Sequence, residues 1–96
     1  MDRLTPKQLS FLRSRAHPLA PRVSLGKNGP DEAFHTLLER ALADHELVKV
    51  RLGRRVAPDL EAVAAARSAA VVGRVGRSAI FYRPGTPPRL PLPAGA

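Results

Sequence analysis

The fold is decided by residues 22–42, which read RVSLGKNGPDEAFHTLLERAL. Residues 22–25 predict a short strand with Val23 and Leu25 on one face. From Pro30 onward the residues predict a helix, because proline suits the first helical position and the acids that follow favour the positive end of a helix. The apolar stripe of this helix has helical spacing and consists of Phe34, Leu37, Leu38, Ala41 and Leu42. A strand that leads through a glycine-flanked loop into a helix indicates an α/β domain.

The segments on either side add a helix before this unit and a strand after it. Residues 4–15 are compatible with a short helix that has Thr5 as its N-cap and ends at His17-Pro18, because the residue before proline is disfavoured in helices. After the central helix the apolar period changes from 3.6 to 2, since valines and a leucine at 48, 50 and 52 alternate with Lys49 and Arg51. This alternation predicts a half-buried strand with a basic outer face.

The remaining elements are an alanine-rich helix and a hairpin. The helix is predicted to begin at Pro58-Asp59, and the hairpin to join the valines of residues 71–75 to residues 79–82 through the turn 76–78. The order is therefore α-β-α-β-α-β-β. Helical crossovers between the first three strands predict parallel neighbours, and the last pair must be antiparallel. We expect an α/β fold with one domain, in which three helices pack on a four-stranded mixed sheet.

The length and composition set the domain boundaries and the compartment. A chain of 96 residues suits one domain, predicted at 1–84, and five prolines between residues 84 and 93 predict a Pro-rich flexible tail at 85–96. The sequence has no cysteine, which excludes disulfides and thiol nucleophiles. No stretch is apolar enough to span a membrane and no signal pattern is evident, so we expect a cytoplasmic protein that does not bind a membrane. We also expect a monomer.

The charge points to an anionic partner. The formal net charge is +8. Residues 31–46 hold five acids and one base, so that 15 bases and three acids remain for the rest of the chain. Such an excess on a small surface indicates nucleic acid as the partner, although arginine that serves only as a solubilising residue is an alternative.

The loop Gly26-Lys27-Asn28-Gly29 is the strongest candidate for the binding site. Glycines permit close approach of a backbone, Lys27 adds a charge, and Asn28 adds hydrogen-bond donors and an acceptor that match a sugar-phosphate. The helix N-terminus that follows favours anions. A G-x-x-G sequence is also produced by ordinary strand-to-helix turns, so the loop alone is weak evidence. Arg13, Arg15, Arg22, Lys49 and Arg51 are the further bases expected to contact RNA.

The sequence argues against catalysis and against metal. His45-Glu46 begins like a metalloprotease motif, but the required second histidine is replaced by Lys49. The three histidines lack ligand spacing, and no serine lies in a nucleophile-elbow motif. We therefore expect no enzyme activity, no metal and no cofactor.

Four blocks together resemble a known family. They are AHPL at 16–19, VSLGKNG at 23–29, HELVKV at 45–50 and GRSAIFYRP at 76–84. In order and spacing they are similar to the CRM domain (chloroplast RNA splicing and ribosome maturation), in its stand-alone bacterial YhbY-like form. The resemblance covers about residues 4–84. It departs at residues 69–75, where members of the family commonly carry a Thr-Gly and a Gln.

The resemblance implies a fold, a ligand and a site. The implied fold is similar to the C-terminal domain of translation initiation factor 3. The implied activity is RNA binding through Gly26, Lys27, Asn28 and Gly29, with ribosomal RNA of the large-subunit precursor as partner and ribosome assembly as the role. Two alternatives stay open: a non-specific nucleic-acid-binding protein, and a ribosome-docked adaptor that uses the acidic helix and the Pro-rich tail.

Overall fold

The computed structural model describes residues 3–94 and contains three helices and four strands in that range. The elements in chain order are α1 (Pro6–Ala16), β1 (Val23–Leu25), α2 (Glu32–Asp44), β2 (Leu47–Leu52), α3 (Leu60–Ala66), β3 (Ala70–Val75) and β4 (Ser78–Tyr82). This order confirms the predicted α-β-α-β-α-β-β arrangement and the α/β fold class.

Short polar motifs begin the helices. At α1 the Thr5 hydroxyl accepts the N–H of Gln8, whose side chain accepts the N–H of Thr5 in return, which makes a capping box. At α2 the N-cap is Asp31, whose carboxylate accepts the N–H of Phe34 at 2.9 Å. The prediction that Pro30 occupies the first helical position is therefore wrong, because the aspartate that follows Pro30 caps the helix instead.

The sheet has the strand order β1-β2-β4-β3. Strand β1 is parallel to β2, and β4 is antiparallel to both of its neighbours. The parallel first pair and the antiparallel last pair were predicted. The expectation that β2 and β3 are neighbours is wrong, because β4 folds back from its hairpin into the space between them.

Helices pack on both faces of the sheet. One face packs against α2 and α3 in a core that contains Phe34, Leu38 and Phe81. The other face packs against α1 through Leu12 and Ala16, which contact Ile80 and Tyr82. Leu37, predicted in the buried stripe of α2, is 52% exposed. None of the helices within residues 3–94 is long and apolar enough to cross a membrane.

Residues 84–94 contain no helix or strand but lie against the domain. Leu90 and Leu92 pack on the core under α1, and the carbonyl of Pro93 accepts a hydrogen bond from the Gln8 side chain at 3.0 Å. The packed structure therefore extends past the boundary predicted at residue 84. The last two residues of the predicted tail, 95–96, lie outside the described residues.

Candidate nucleic-acid interface

The loop between β1 and α2 is a tight turn. The N–H of Gly29 donates to the carbonyl of Gly26 at 3.0 Å, so Lys27 and Asn28 occupy the two central positions, and both are exposed. Gly29 has a φ of 75°, a left-handed conformation that favours glycine. A Cβ on Gly26 would have no neighbour within 4 Å. The space beside Gly26 is therefore open to a ligand.

The N-terminus of α2 beside this loop is partly occupied. The N–H of Asp31 donates to the carbonyl of Gly29 at 2.8 Å, and the Asp31 carboxylate accepts a hydrogen bond from the N–H of Phe34. Since a carboxylate already caps the helix, the helix N-terminus has fewer free N–H groups and less positive charge for a phosphate than the sequence predicted. The exposed centre of the turn, rather than the helix end, is the accessible part of the loop.

A second turn with two arginines lies against the loop. The N–H of Gly53 donates to the carbonyl of Leu25 at 2.9 Å, and a Cβ on Gly53 would lie 3.7 Å from the Cα of Gly26. This contact places the turn at Arg54 and Arg55, whose side chains are exposed, beside the G-x-x-G loop. These arginines were not among the predicted RNA contacts, although parallel neighbouring strands bring both loops to the same end of the sheet.

The β3–β4 hairpin turn completes this end of the sheet. The N–H of Leu52 donates to the carbonyl of Arg77, which brings exposed Arg77 next to the end of β2. The cations gathered at this end are exposed and define what we term the loop-end surface: Lys27, Arg51, Arg54, Arg55 and Arg77.

Arg51 belongs to a polar row across the sheet. The register pairs Ser24 with Arg51, Arg51 with Ser78, and Ser78 with Val75. The neighbours of Ser24, Arg51 and Ser78 along their own strands are buried against α2 and α3, so the row lies on the α1 face. Val75 is 51% exposed, which shows that α1 does not cover this part of the sheet. The row joins the loop-end surface to an open sheet face with hydroxyl groups on it.

Arg13 lies on the opposite edge of the sheet from the loop. Its Nε donates to the carbonyl of Val72 at 2.6 Å, and a Cβ on Gly73 would meet the same Nε at 2.9 Å. Strand β3 is the far edge, while the G-x-x-G loop follows β1 at the near edge. Arg13 thus borders the open sheet face and does not surround the loop.

Arg15 and Arg22 lie together at a separate place. Both line a cleft near the start of β2, whereas the loop follows the end of β1. Arg15 also stacks over Phe11, with its guanidinium carbon 5.4 Å from the ring centroid. Of the predicted bases, Lys27 and Arg51 therefore lie with the loop, Arg15 and Arg22 line the cleft, and Arg13 lies at the β3 edge.

Lys49 is a correction to the predicted basic face of β2. Its exposed fraction is 8%, and its Nζ donates to the carbonyl of His17 at 3.3 Å. Alternation correctly placed Lys49 on the face opposite the valines, but α1 ends above that position and buries it. An ammonium at the last carbonyls of a helix is favourable, which gives Lys49 a structural explanation.

An ion-pair network occupies part of the acidic helix α2. Glu39 accepts two hydrogen bonds from the Arg83 guanidinium at 2.8 Å each, and Arg67 approaches the same carboxylate at 3.8 Å. The hydrogen bond from Arg83 lowers the pKa of Glu39, and the same bond raises the pKa of Arg83. These groups join α2 to the ends of β4 and α3, away from the G-x-x-G loop.

Tyr82 is buried, with 2% of its surface exposed, so its ring packs in the core and is not accessible for stacking on a base. Within residues 3–94, no group of three histidine or acidic side chains is placed to hold a metal ion. The candidate site is thus built from backbone, hydroxyl groups and cations.

The chain belongs to the family of the CRS1 / YhbY (CRM) domain, whose family model matches residues 4–83. An RNA-binding protein of Haemophilus influenzae is 37% identical over 97 residues, which cover 97% of this chain and 98% of that protein. The probable RNA-binding protein YqeI of Bacillus subtilis is 32% identical over 84 residues, or 83% of this chain and 88% of YqeI.

A solved structure shows the same fold. The solution structure of a Staphylococcus aureus protein with a proposed RNA-binding role superposes with a TM-score of 0.68 at 30% identity, and the match covers 84% of this chain and 88% of that one. The family resemblance predicted from the four sequence blocks is confirmed.

Proposed function

We propose that this protein binds single-stranded or loop RNA through the loop-end surface and acts by binding rather than by catalysis. The observation that carries the proposal is the open G-x-x-G turn with Arg54 and Arg55 held beside it by the Gly53–Leu25 hydrogen bond. The family membership and the names of the relatives support RNA as the ligand.

The chemistry of the loop-end surface suits a sugar-phosphate chain. Lys27, Arg54, Arg55 and Arg77 are exposed donors that can follow successive phosphates, and the bare Cα of Gly26 admits a backbone at close range. The hydroxyls of Ser24 and Ser78 flank Arg51 and can bond a ribose 2′-OH, the group that distinguishes RNA from DNA.

Competition between nucleic acids tests the proposal against a non-specific nucleic-acid-binding protein. We expect single-stranded ribosomal RNA fragments to displace duplex DNA from the protein, with an affinity that falls steeply with salt. Equal binding of both nucleic acids, or binding that does not depend on salt, would contradict the proposal.

The biological partner that we propose is ribosomal RNA of the large-subunit precursor, which a cytoplasmic monomer would meet during assembly. The resemblance to the YhbY-like form supports this choice. Sedimentation of cell extracts on sucrose gradients tests it, with the protein expected in precursor fractions. A ribosome-docked adaptor differs in one outcome: an RNA-binding-deficient loop variant would stay on the particle.

A further inference from the structure

The cleft that holds Arg15 and Arg22 has the size and lining of a ligand pocket. It encloses about 490 Å³ between the end of α1, the end of α2 and the segment at residues 89–90. Pockets for small ligands typically measure about 300–1,000 Å³. The cleft lies at the start of β2 and is therefore separate from the loop-end surface.

The lining of the cleft combines an apolar surface with exposed basic side chains. Pro18, Leu19, Leu47 and Leu90 supply the apolar surface. The cleft also carries three exposed arginines, Arg15, Arg22 and Arg89, and one exposed carboxylate, Asp44. An apolar surface beside several guanidiniums is complementary to a flat base attached to a phosphate.

One wall of the cleft is fixed by a buried carboxylate. Glu46 is 2% exposed, and its oxygens accept the backbone N–H groups of Gly85, Arg89 and Leu90. The Arg89 side chain also donates to the carbonyl of Ala43 at 3.2 Å. Because these bonds saturate Glu46, its charge is not directed at a ligand. The bond to Ala43 holds the side chain of Arg89 at the cleft before any ligand binds.

We propose that this cleft binds one unstacked nucleotide of the RNA, with the base on the apolar surface of leucines and proline and the phosphate at Arg15, Arg22 and Arg89. The inference rests on the proposed function, because it takes RNA as the ligand. It adds a second contact at the opposite end of β1, so that one single strand contacts both the loop-end surface and the cleft.

The test is an NMR titration of the full-length protein with a short single-stranded RNA of mixed sequence. We expect the amide resonances of Leu19, Leu47 and Leu90 to shift together with those of the loop. The variant Arg89→Ala should lower the affinity about tenfold, as for loss of a charge-assisted contact. This variant keeps the Glu46 bonds, because they come from the backbone of residue 89.

Arg3→Ala is the matched control, since Arg3 is exposed and lies near the start of α1, away from the cleft. A 2-aminopurine in the RNA provides a second readout, because its fluorescence should rise when the base leaves the stack and enters the cleft. Loop shifts without cleft shifts, with equal affinity of Arg89→Ala and Arg3→Ala, would overturn this inference while the proposed function stands. No RNA binding at all would overturn the proposed function itself.

Discussion

The carboxylate of Glu46 accepts the backbone N–H of Leu90 at 2.8 Å, although the two residues lie 44 positions apart in the chain. The bond belongs to a set in which one buried side chain fixes Gly85, Arg89 and Leu90. A segment without helix or strand is thereby joined to the start of β2. The C-terminal segment is a wall of the domain and of the arginine-lined cleft.

Glu46→Gln should release this segment. A carboxamide replaces one acceptor oxygen with a donor that faces N–H groups, so we expect the free energy of unfolding to fall by about 1–3 kcal/mol. Hydrogen exchange of the Leu90 amide should become faster. Urea unfolding and exchange NMR measure both effects, and Glu61→Gln on the exposed face of α3 is the control. Equal effects of the two variants would contradict the structural role of Glu46.

Acid should weaken the fold through Glu39 and Glu46. Burial alone would raise the pKa of Glu46, but the N–H groups of Arg89, Gly85 and Leu90 and the charge of Arg89 lower it overall. The pKa of Glu39 is lowered by its hydrogen bond with Arg83. A carboxyl with a lowered folded pKa stabilises the fold above its unfolded pKa of about 4.3, and this contribution is lost as the pH falls through the folded value.

The measurement is the urea midpoint at about pH 7 and about pH 3 for the wild type and for the double variant Glu39→Gln with Glu46→Gln. The wild type should lose more stability in acid than the double variant. If both proteins lose the same amount, other carboxyls account for the acid sensitivity.

The two glycines of the loop should respond differently to alanine. Gly29→Ala forces a side chain into a left-handed conformation and should lower the free energy of unfolding by about 1–2 kcal/mol. Gly26→Ala meets no atom within 4 Å and should leave stability nearly unchanged. Thermal or urea unfolding compares them directly. Equal losses at both positions would be inconsistent with the turn described here.

Lys49 and Arg51 should separate structure from binding. Lys49→Met removes a bond to the end of α1 and should lower the free energy of unfolding by about 1 kcal/mol, with no change in the salt dependence of RNA binding. Arg51→Ala should leave stability unchanged and reduce the slope of log affinity against log salt by about 1. A smaller salt slope for Lys49→Met, with no loss of stability, would contradict the structural role of Lys49.

Local sequence patterns predicted the helices and strands. The features that these patterns did not predict depend on contacts between residues far apart in the sequence. Thr5 is the N-cap of α1 and the proline after it is the first helical residue, so this boundary could be predicted from the sequence. The position of β4 beside β2 depends on how a hairpin folds back, which no local pattern encodes. Lys49 alternates like a surface residue, and only the end of α1 buries it.

The candidate site shows the same division. The G-x-x-G loop was evident from its glycines, its lysine and the helix that follows. The contribution of Arg54, Arg55 and Arg77 depends on three loops that meet at one end of the sheet. Predicting this contribution would have required the strand order. Arg15 and Arg22 precede the loop closely in sequence, yet they line the cleft at the other end of β1.

The most direct test of the central claim is the RNA affinity of Gly26→Asp, because this position tolerates a side chain sterically and the added carboxylate would face the phosphates. Ala65→Asp on the exposed surface of α3 makes the same charge change away from the loop. With circular dichroism showing both variants folded, we expect Gly26→Asp to lose most RNA binding and Ala65→Asp to retain it. Equal affinities of the two variants would contradict a binding site at the loop and would assign the affinity to net charge alone.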